Sequence, residues 1–431
     1  MNILIVTYTY PPSKAVNGFR PYHFAKALVK GGHRVHVLSR HFEDAEGYED
    51  EGNPVKTPFS IAREDEVIVY RTSFRNSWFG YKRNKWLQST GAWKVMYLIQ
   101  LMCGRTTQES YNEYFKPYLS KLLAMKLYDL ILVESGPTNL VRTVSKLARH
   151  YHIPYAIDFR DVYYHDMCRV DQKKVSWMNK VKIYLEKHYM KSGIAHSLFC
   201  ISLSDTLHDI LQVPGEKRER IINGYDDMVW RAIQPQNTDH QFRIVVGGKL
   251  YDREFLQPFL QSIRYFLNKQ LPDVEVLFIA PGNAGMIKRI KSELSDQNVR
   301  VIHDRMTLQD TLNAISSAEV LMYHGWQGYH GMTSTKIYDY LRAGKHILIV
   351  PGDQDVIDQL LNELNAGISL DDPELAANQL VAWYDQWVHR AASQRNISQD
   401  KLAFYSRTYQ SELLNKIVNR RMKVNTNEVV A

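Results

Sequence analysis

Two similar halves of the α/β class, each Rossmann-like, are predicted by three observations. Short apolar runs rich in Val, Ile and Leu alternate with amphipathic stretches along nearly the whole chain. One polar stretch without periodicity, RAIQPQNTDHQ at 231–241, separates two such series and reads as a linker. The segment GMTSTKIYDYLRAGKHIL at 331–348 joins a Gly/Ser/Thr loop to a helix, a terminating glycine and a buried strand. The domains expected are therefore 1–232 and 242–396, with a last helix at 397–421.

Taken in order, residues 2–7 form a buried strand, followed by a loop around Pro11 and Pro12. Gly18 opens a helix to about Lys30, which Gly31 and Gly32 end, and 35–38 is the second strand. This βαβ opening lacks G-x-G-x-x-G, which disfavours a dehydrogenase. A helix at 110–125 precedes a strand at 130–133, and a helix ending near His152 precedes a strand at 155–159 that runs into Arg160 and Asp161. Strand ends at that edge are where open α/β sheets bind ligands. An amphipathic helix at 178–192, a strand at 197–202 and a turn at IINGYD (221–226) close the first half. The second half has strands at 242–246, 274–280, 299–303 and 320–323, helices at 354–365, a pair at 373–392, and one at 398–420 with a frayed tail from Met422.

The 331–348 segment carries the chemistry. Either Ser334 or Thr335 caps its helix, Ile337, Tyr338 and Leu341 give it an apolar face, and Gly344 ends it. The helix start then offers backbone N–H groups and a positive dipole end to a phosphate. Lys336 in the first turn runs against that dipole, which an anionic ligand would justify, and Asp339 one turn on suits ribose hydroxyls. An ordinary surface ion pair is the alternative. Gly247, Gly248 and Lys249 open the loop after the strand at 242–246, and Arg253 lies just beyond.

The 431 residues carry a formal charge of +8, which calls for an anionic partner. Residues 71–105 hold seven Lys and Arg, no Asp or Glu, and interleaved Trp, Phe and Tyr. Such a mixture suits an anionic membrane surface, a helix packing its rings inward, or single-stranded nucleic acid; nucleic acid is not taken as a partner. Three widely spaced cysteines and an N-terminus without signal-peptide character point to a cytoplasmic protein, and the basic segment adds the inner face of the cell membrane as a peripheral location. Sixteen histidines show no HExxH, and neither a P-loop nor a nucleophile elbow is present.

Four phrases resemble one family. TSTKIYDYLRAGKHILIV is similar to the nucleotide-sugar motif K-[LIF]-[FY]-E-Y-L-A-A-G-K-P-[IV]-L of GT-B glycosyltransferases, particularly the family 4 type. YPP…NGFRPYHFAKALVKGGHRVHVLS, IDFRDVYYHD and IINGYD resemble that family's opening, its D-x-R-D-x-W phrase and the v-x-N-G-x-D that closes its first domain. The resemblance implies the GT-B fold, with two Rossmann-like domains facing across a cleft and a C-terminal helix crossing back to the first. It implies a retaining glycosyltransferase that moves a sugar from a nucleotide-sugar donor to a hydroxyl of a glycan or lipid-linked acceptor, without cofactor or metal.

By the same resemblance, Gly18, Gly248, Arg305, Ser334, Thr335, Lys336 and Asp339 would bind the donor, and Arg160 and His165 the acceptor. Asp161, Lys249 and Arg253 would be catalytic, the two cations by stabilising the departing diphosphate. The chain departs from the pattern at Gly331, where relatives carry a first glutamate, and at Asp339, where the second is usual. A nucleotide-sugar epimerase of the same fold and a non-catalytic GT-B binding protein are the alternatives.

Overall fold

Buried runs such as Ile3, Leu4, Ile5 and Val6, or Ile347 to Val350, are apolar on both sides and form parallel strands covered by helices on both faces. The computed structural model describes residues 1–13, 18–40, 59–72, 95, 110–136, 138–160, 165–233, 240–251, 253–304, 306–389 and 397–430. Two compact units divide the chain, Met1–Ile222 with Gln410–Ala431, and Asn223–Tyr409.

The first unit runs β1 (Asn2–Val6), α1 (Phe19–Lys30), β2 (Arg34–Arg40), β3 (Ser60–Glu64), β4 (Val67–Thr72), α2 (Ser110–Ala124), β5 (Leu130–Glu134) and α3 (Thr138–His150). It continues through β6 (Tyr155–Phe159), α4 (Trp177–His196), β7 (Cys200–Ser202), α5 (Asp205–Ile210) and β8 (Arg218–Arg220). Its eight strands lie in the order β3-β4-β2-β1-β5-β6-β7-β8, parallel except for β3. The β3–β4 hairpin is absent from the sequence reading, because its charged residues hide the alternation. Asp65 (φ 46°) and Glu66 (φ 68°) make its two-residue turn in the left-handed region.

The second unit contains α6 (Asp227–Arg231), β9 (Phe242–Gly247), α7 (Leu256–Leu267), β10 (Val274–Ile279), α8 (Ala284–Glu293), β11 (Val299–Ile302), α9 (Leu308–Ser316) and β12 (Val320–His324). Then follow α10 (Lys336–Ala343), β13 (His346–Val350), α11 (Val356–Leu364), β14 (Gly367–Ser369), α12 (Pro373–Val388) and α13 (Gln399–Phe404). Its six parallel strands take the order β11-β10-β9-β12-β13-β14. Phe242, Ile244 and Val246 of β9 pack with Phe259 and Ile263 of α7 and Leu380 and Trp383 of α12.

A last helix, α14 (Arg407–Val430), sends Leu414, Ile417 and Val418 into the first unit's core beside Phe24 and Leu28. Gly31 makes room for it, since a Cβ there would lie 2.4 Å from Asn415 Oδ1. Glu219 fixes the helix further by accepting from Arg420 and Arg421.

Three expectations about helices need correction. The pair at 373–392 is one helix ending at Val388. The helix at 398–420 is broken at Tyr405 and Ser406, because Tyr225 donates to the Tyr405 carbonyl and accepts from the Arg407 N–H, a bridge from far away in sequence. The tail from Met422 continues as helix to Val430. Among the described residues no helix is long and apolar enough to cross a membrane.

Most of the basic aromatic segment at 71–105 lies outside the described residues. Its first member, Arg71, does not belong to an open cationic surface: it is buried in β4 and donates to Glu64 at 2.7 Å and to the Pro11 carbonyl.

Candidate functional site

In the second unit the chain runs outward from β9 to β10 and β11, then returns to β12 on the other side of β9. The carboxyl ends of β9 and β12, on either side of that reversal, are the usual place for a ligand in an open α/β sheet. Gly247 and Gly248 stand at the end of β9, and Tyr323 and His324 at the end of β12. Gly248 has φ +77°, which keeps the position to glycine, and its backbone runs beside the aliphatic stem of Lys336.

Lys336 starts α10, and its ammonium donates to the Gly247 carbonyl at 3.2 Å and sits 5.2 Å from the Tyr323 ring centre. Burial pushes its pKa down to about 8. Close by, His324 lies between Phe255 and Phe259; burial first, and the Lys336 charge second, hold its imidazole neutral with a pKa of about 3. The Tyr323 hydroxyl donates to Ser334 Oγ at 3.1 Å. Ser334 is thereby taken up by the strand end, and neither it nor Thr335 caps α10 with a side-chain bond, a correction to the expected capping. Gly344, at φ +67°, ends the helix as expected.

The two other expected cations stand on aromatic supports. The Arg253 guanidinium donates to the Tyr329 hydroxyl and lies 5.2 Å from that ring and 5.7 Å from the Trp326 ring. Lys249 is exposed, 5.3 Å from the Tyr251 ring, which itself packs on Trp326. Phe255 touches His324, Trp326 and Tyr329, so this aromatic cluster links Arg253 to the neighbourhood of Lys336.

Asp339, one turn along α10, accepts from the Trp230 indole N–H at 2.9 Å. Burial pushes its pKa up to about 6, outweighing the Trp230 bond and the Arg407 charge, and Asp226 adds to the rise. One carboxylate oxygen is thus oriented by Trp230. Gly331, where relatives have a glutamate, is buried with φ +74°, and its N–H donates to Asp355. A side chain at that position would be strained, so this loop is built for glycine.

In the first unit Gly18 precedes α1 with φ −75°, an ordinary helical conformation. Nearby, Arg20 grips both oxygens of Asp158 at 2.8 and 2.9 Å and donates to the Ile221 and Ile222 carbonyls. Arg160 is buried and donates to Glu134 at 3.4 Å, and Glu134 also accepts from Thr7. Asp161, the side chain of His165, and Arg305 lie outside the described residues.

Neither a protein-family sequence model nor a curated protein sequence matches the chain. Solved structures do match it. Sucrose-phosphate synthase from Thermosynechococcus elongatus is similar with a TM-score of 0.64 at 13% identity, over 98% of this chain and 99% of that one. The UDP-forming α,α-trehalose-phosphate synthase from Burkholderia vietnamiensis gives 0.65 at 11% identity, over 98% and 99%. The fold is GT-B. HepE of Anabaena, solved in complex with UDP-glucose, gives 0.61 at 10% identity over 97% of this chain and 100% of that one.

Several neighbours of the candidate residues escaped the sequence reading. Trp230, Tyr323, Trp326 and Tyr329 hold the predicted charges, and only the aromatic content of HGWQGYHG hinted at the last two. Asp353 caps the start of α11 through the Asp355, Ile357 and Asp358 N–H groups, and Asp355 pins the Gly331 loop. No local motif announces either.

Proposed function

We propose that this GT-B protein is a retaining glycosyltransferase that takes a sugar from a nucleotide-sugar donor and transfers it to a hydroxyl of a glycan or lipid-linked acceptor. The observation that carries the reading is Lys336: a half-buried ammonium in the first turn of α10, at the switch point of the sheet, whose described partners are a carbonyl and a ring. A helix start repels a cation, and a diphosphate there gains from both. Lys249 and Arg253, carried on the next loop, would neutralise charge on the departing diphosphate, which is electrostatic assistance to bond cleavage. The free oxygen of Asp339 would accept from a ribose hydroxyl while Trp230 holds the other. Ser334, Thr335, Gly248, Gly18 and Arg305 complete the donor contacts proposed. Asp161 in catalysis, with Arg160 and His165 toward the acceptor, follows from the resemblance of IDFRDVYYHD. Retention, in this reading, proceeds by attack on the face the diphosphate leaves, and neither metal nor cofactor is required. The likeness to UDP-forming synthases at low identity supports a sugar-nucleotide ligand.

A panel of UDP-, GDP- and ADP-sugars, read by thermal shift, tests it. A ligand at a hundred times its Kd adds about 2.7 kcal/mol to stability. Stabilisation by one nucleotide series, lost in Lys336→Ala, is expected; no stabilisation by any member overturns the reading. Gly331 in place of a glutamate favours a second reading, a GT-B protein that binds the donor without transfer. Donor turnover with a glycan acceptor excludes that one, and turnover without acceptor indicates an epimerase instead.

A further inference from the structure

Helix α4 (Trp177–His196) is apolar on two sides. Its inner side buries Ile183, Met190 and Ile194. Its outer side sets Trp177, Val181 and Tyr184 at i, i+4 and i+7, one face of the helix, with Trp177 62% and Tyr184 70% exposed. A single exposed ring needs no explanation, but large side chains in register along one face do. Lys180, Lys187 and Lys191 are exposed beside them on the same side, and Lys173 and Lys174, with the exposed Asp171 that caps them, lie in the short turn that precedes the helix. The acidic residue of α4 is Glu186, which is buried on the opposite side.

Neighbouring helices carry further positive charge on the flank of α4 that holds Tyr189. Arg142 of α3 lies 4.2 Å from the ring of Tyr189 on α4. Repulsion from Arg142, then burial, then the charges of Lys116 and Arg149 hold the Lys146 ammonium below its ordinary range. Helix α3, TNLVRTVSKLARH, contains no carboxylate to offset them.

We propose that this face of the first unit docks on an anionic phospholipid bilayer, with α4 in the interfacial plane, Trp177 and Tyr184 at headgroup level and the lysines over lipid phosphates. The residue types choose this partner over a protein. Lysine is depleted in protein interfaces, where arginine is enriched, and the exposed cations of α4 include Lys180, Lys187 and Lys191; a lysine stem can lie against acyl chains while its ammonium reaches phosphate. Tryptophan and tyrosine beside lysine are the composition of an interfacial helix. This surface lies on α4, outside the 71–105 segment, and the proposal does not depend on the sugar-transfer reading.

The test is sedimentation of the full chain with vesicles of phosphatidylcholine alone or with one-third phosphatidylglycerol. Binding to the anionic vesicles, weakened by salt, is expected. Trp177→Ala/Tyr184→Ala and Lys187→Glu/Lys191→Glu should each lower partitioning by about tenfold or more, with the melting temperature and nucleotide-induced thermal shift unchanged. Quenching by brominated lipid supplies a measurement that needs no destabilised variant: wild type should lose emission that Trp177→Phe does not. No binding, equal binding to both vesicles, binding of both double variants at the wild-type level, or quenching that is identical in Trp177→Phe overturns the proposal.

Discussion

The six strands of the second sheet follow the order 3-2-1-4-5-6, which the first sheet repeats in its parallel strands and extends by a seventh, β8, yet the two treat charge at the carboxyl edge in opposite ways. In the first unit the cations meet carboxylates: Arg20 holds Asp158 through two bonds, and Arg160 donates to Glu134. In the second unit the described partners of Lys336 and Arg253 are neutral, a carbonyl, a phenol and three aromatic rings. A carboxylate cancels a cation's field, whereas a ring or carbonyl orients the group and leaves its charge in force. The first edge therefore pairs these charges internally, and the second is the edge at which the donor diphosphate is proposed to bind.

Breaking the internally paired edge should have the largest effect. Arg20→Ala strands Asp158 in a buried site, and a loss of about 3–5 kcal/mol is expected in urea unfolding. Lys336→Ala should reverse the pattern, with little loss of stability because a desolvated charge is removed. Donor affinity by calorimetry should fall about ten- to a hundredfold, the equivalent of about 1.5–3 kcal/mol for a charged hydrogen bond.

Titration sharpens the contrast further. The pKa of Asp339 is raised to about 6, so the carboxylate is lost as pH falls through that value. The pKa of Lys336 is lowered to about 8, so its charge is lost as pH rises through that value. Donor affinity should peak between these limits and decline by up to about tenfold per pH unit outside them. Asp339→Asn should flatten the acid limb and leave the alkaline limb in place. The smallest effect concerns the loop that departs from the family pattern: Gly331→Ala forces a side chain into a left-handed position, and a loss of about 1 kcal/mol is expected in thermal unfolding.

Much of the fold was legible because its signals are local. Val and Ile runs announce parallel strands, Gly344 announces the end of α10, and the switch-point loops at Gly248 and Ser334 follow from the alternation of elements. What escaped depends on partners distant in sequence. Trp230 reaches Asp339 across 109 positions, Tyr225 breaks the last helical stretch at Tyr405, and the charged β3–β4 hairpin pairs where no apolar pattern points. Ser334 has the chemistry of a cap, but the Tyr323 hydroxyl competes for its oxygen. Arg160 reads from sequence either as a group toward an acceptor or as half of a polar pair that holds a loop, and its Glu134 partner stands on the neighbouring strand, where no local pattern announces it.

The placement of α14 sets an order on biogenesis. Leu414, Ile417 and Val418 complete a core whose other members run from Ile3 to Ile221, with the whole second unit encoded between them. During synthesis the core around Phe24 and Leu28 lacks its α14 members until the whole second unit and residues 414–418 have been made. A nascent chain stalled before residue 410 would display that apolar face, and chaperones should engage it at that stage.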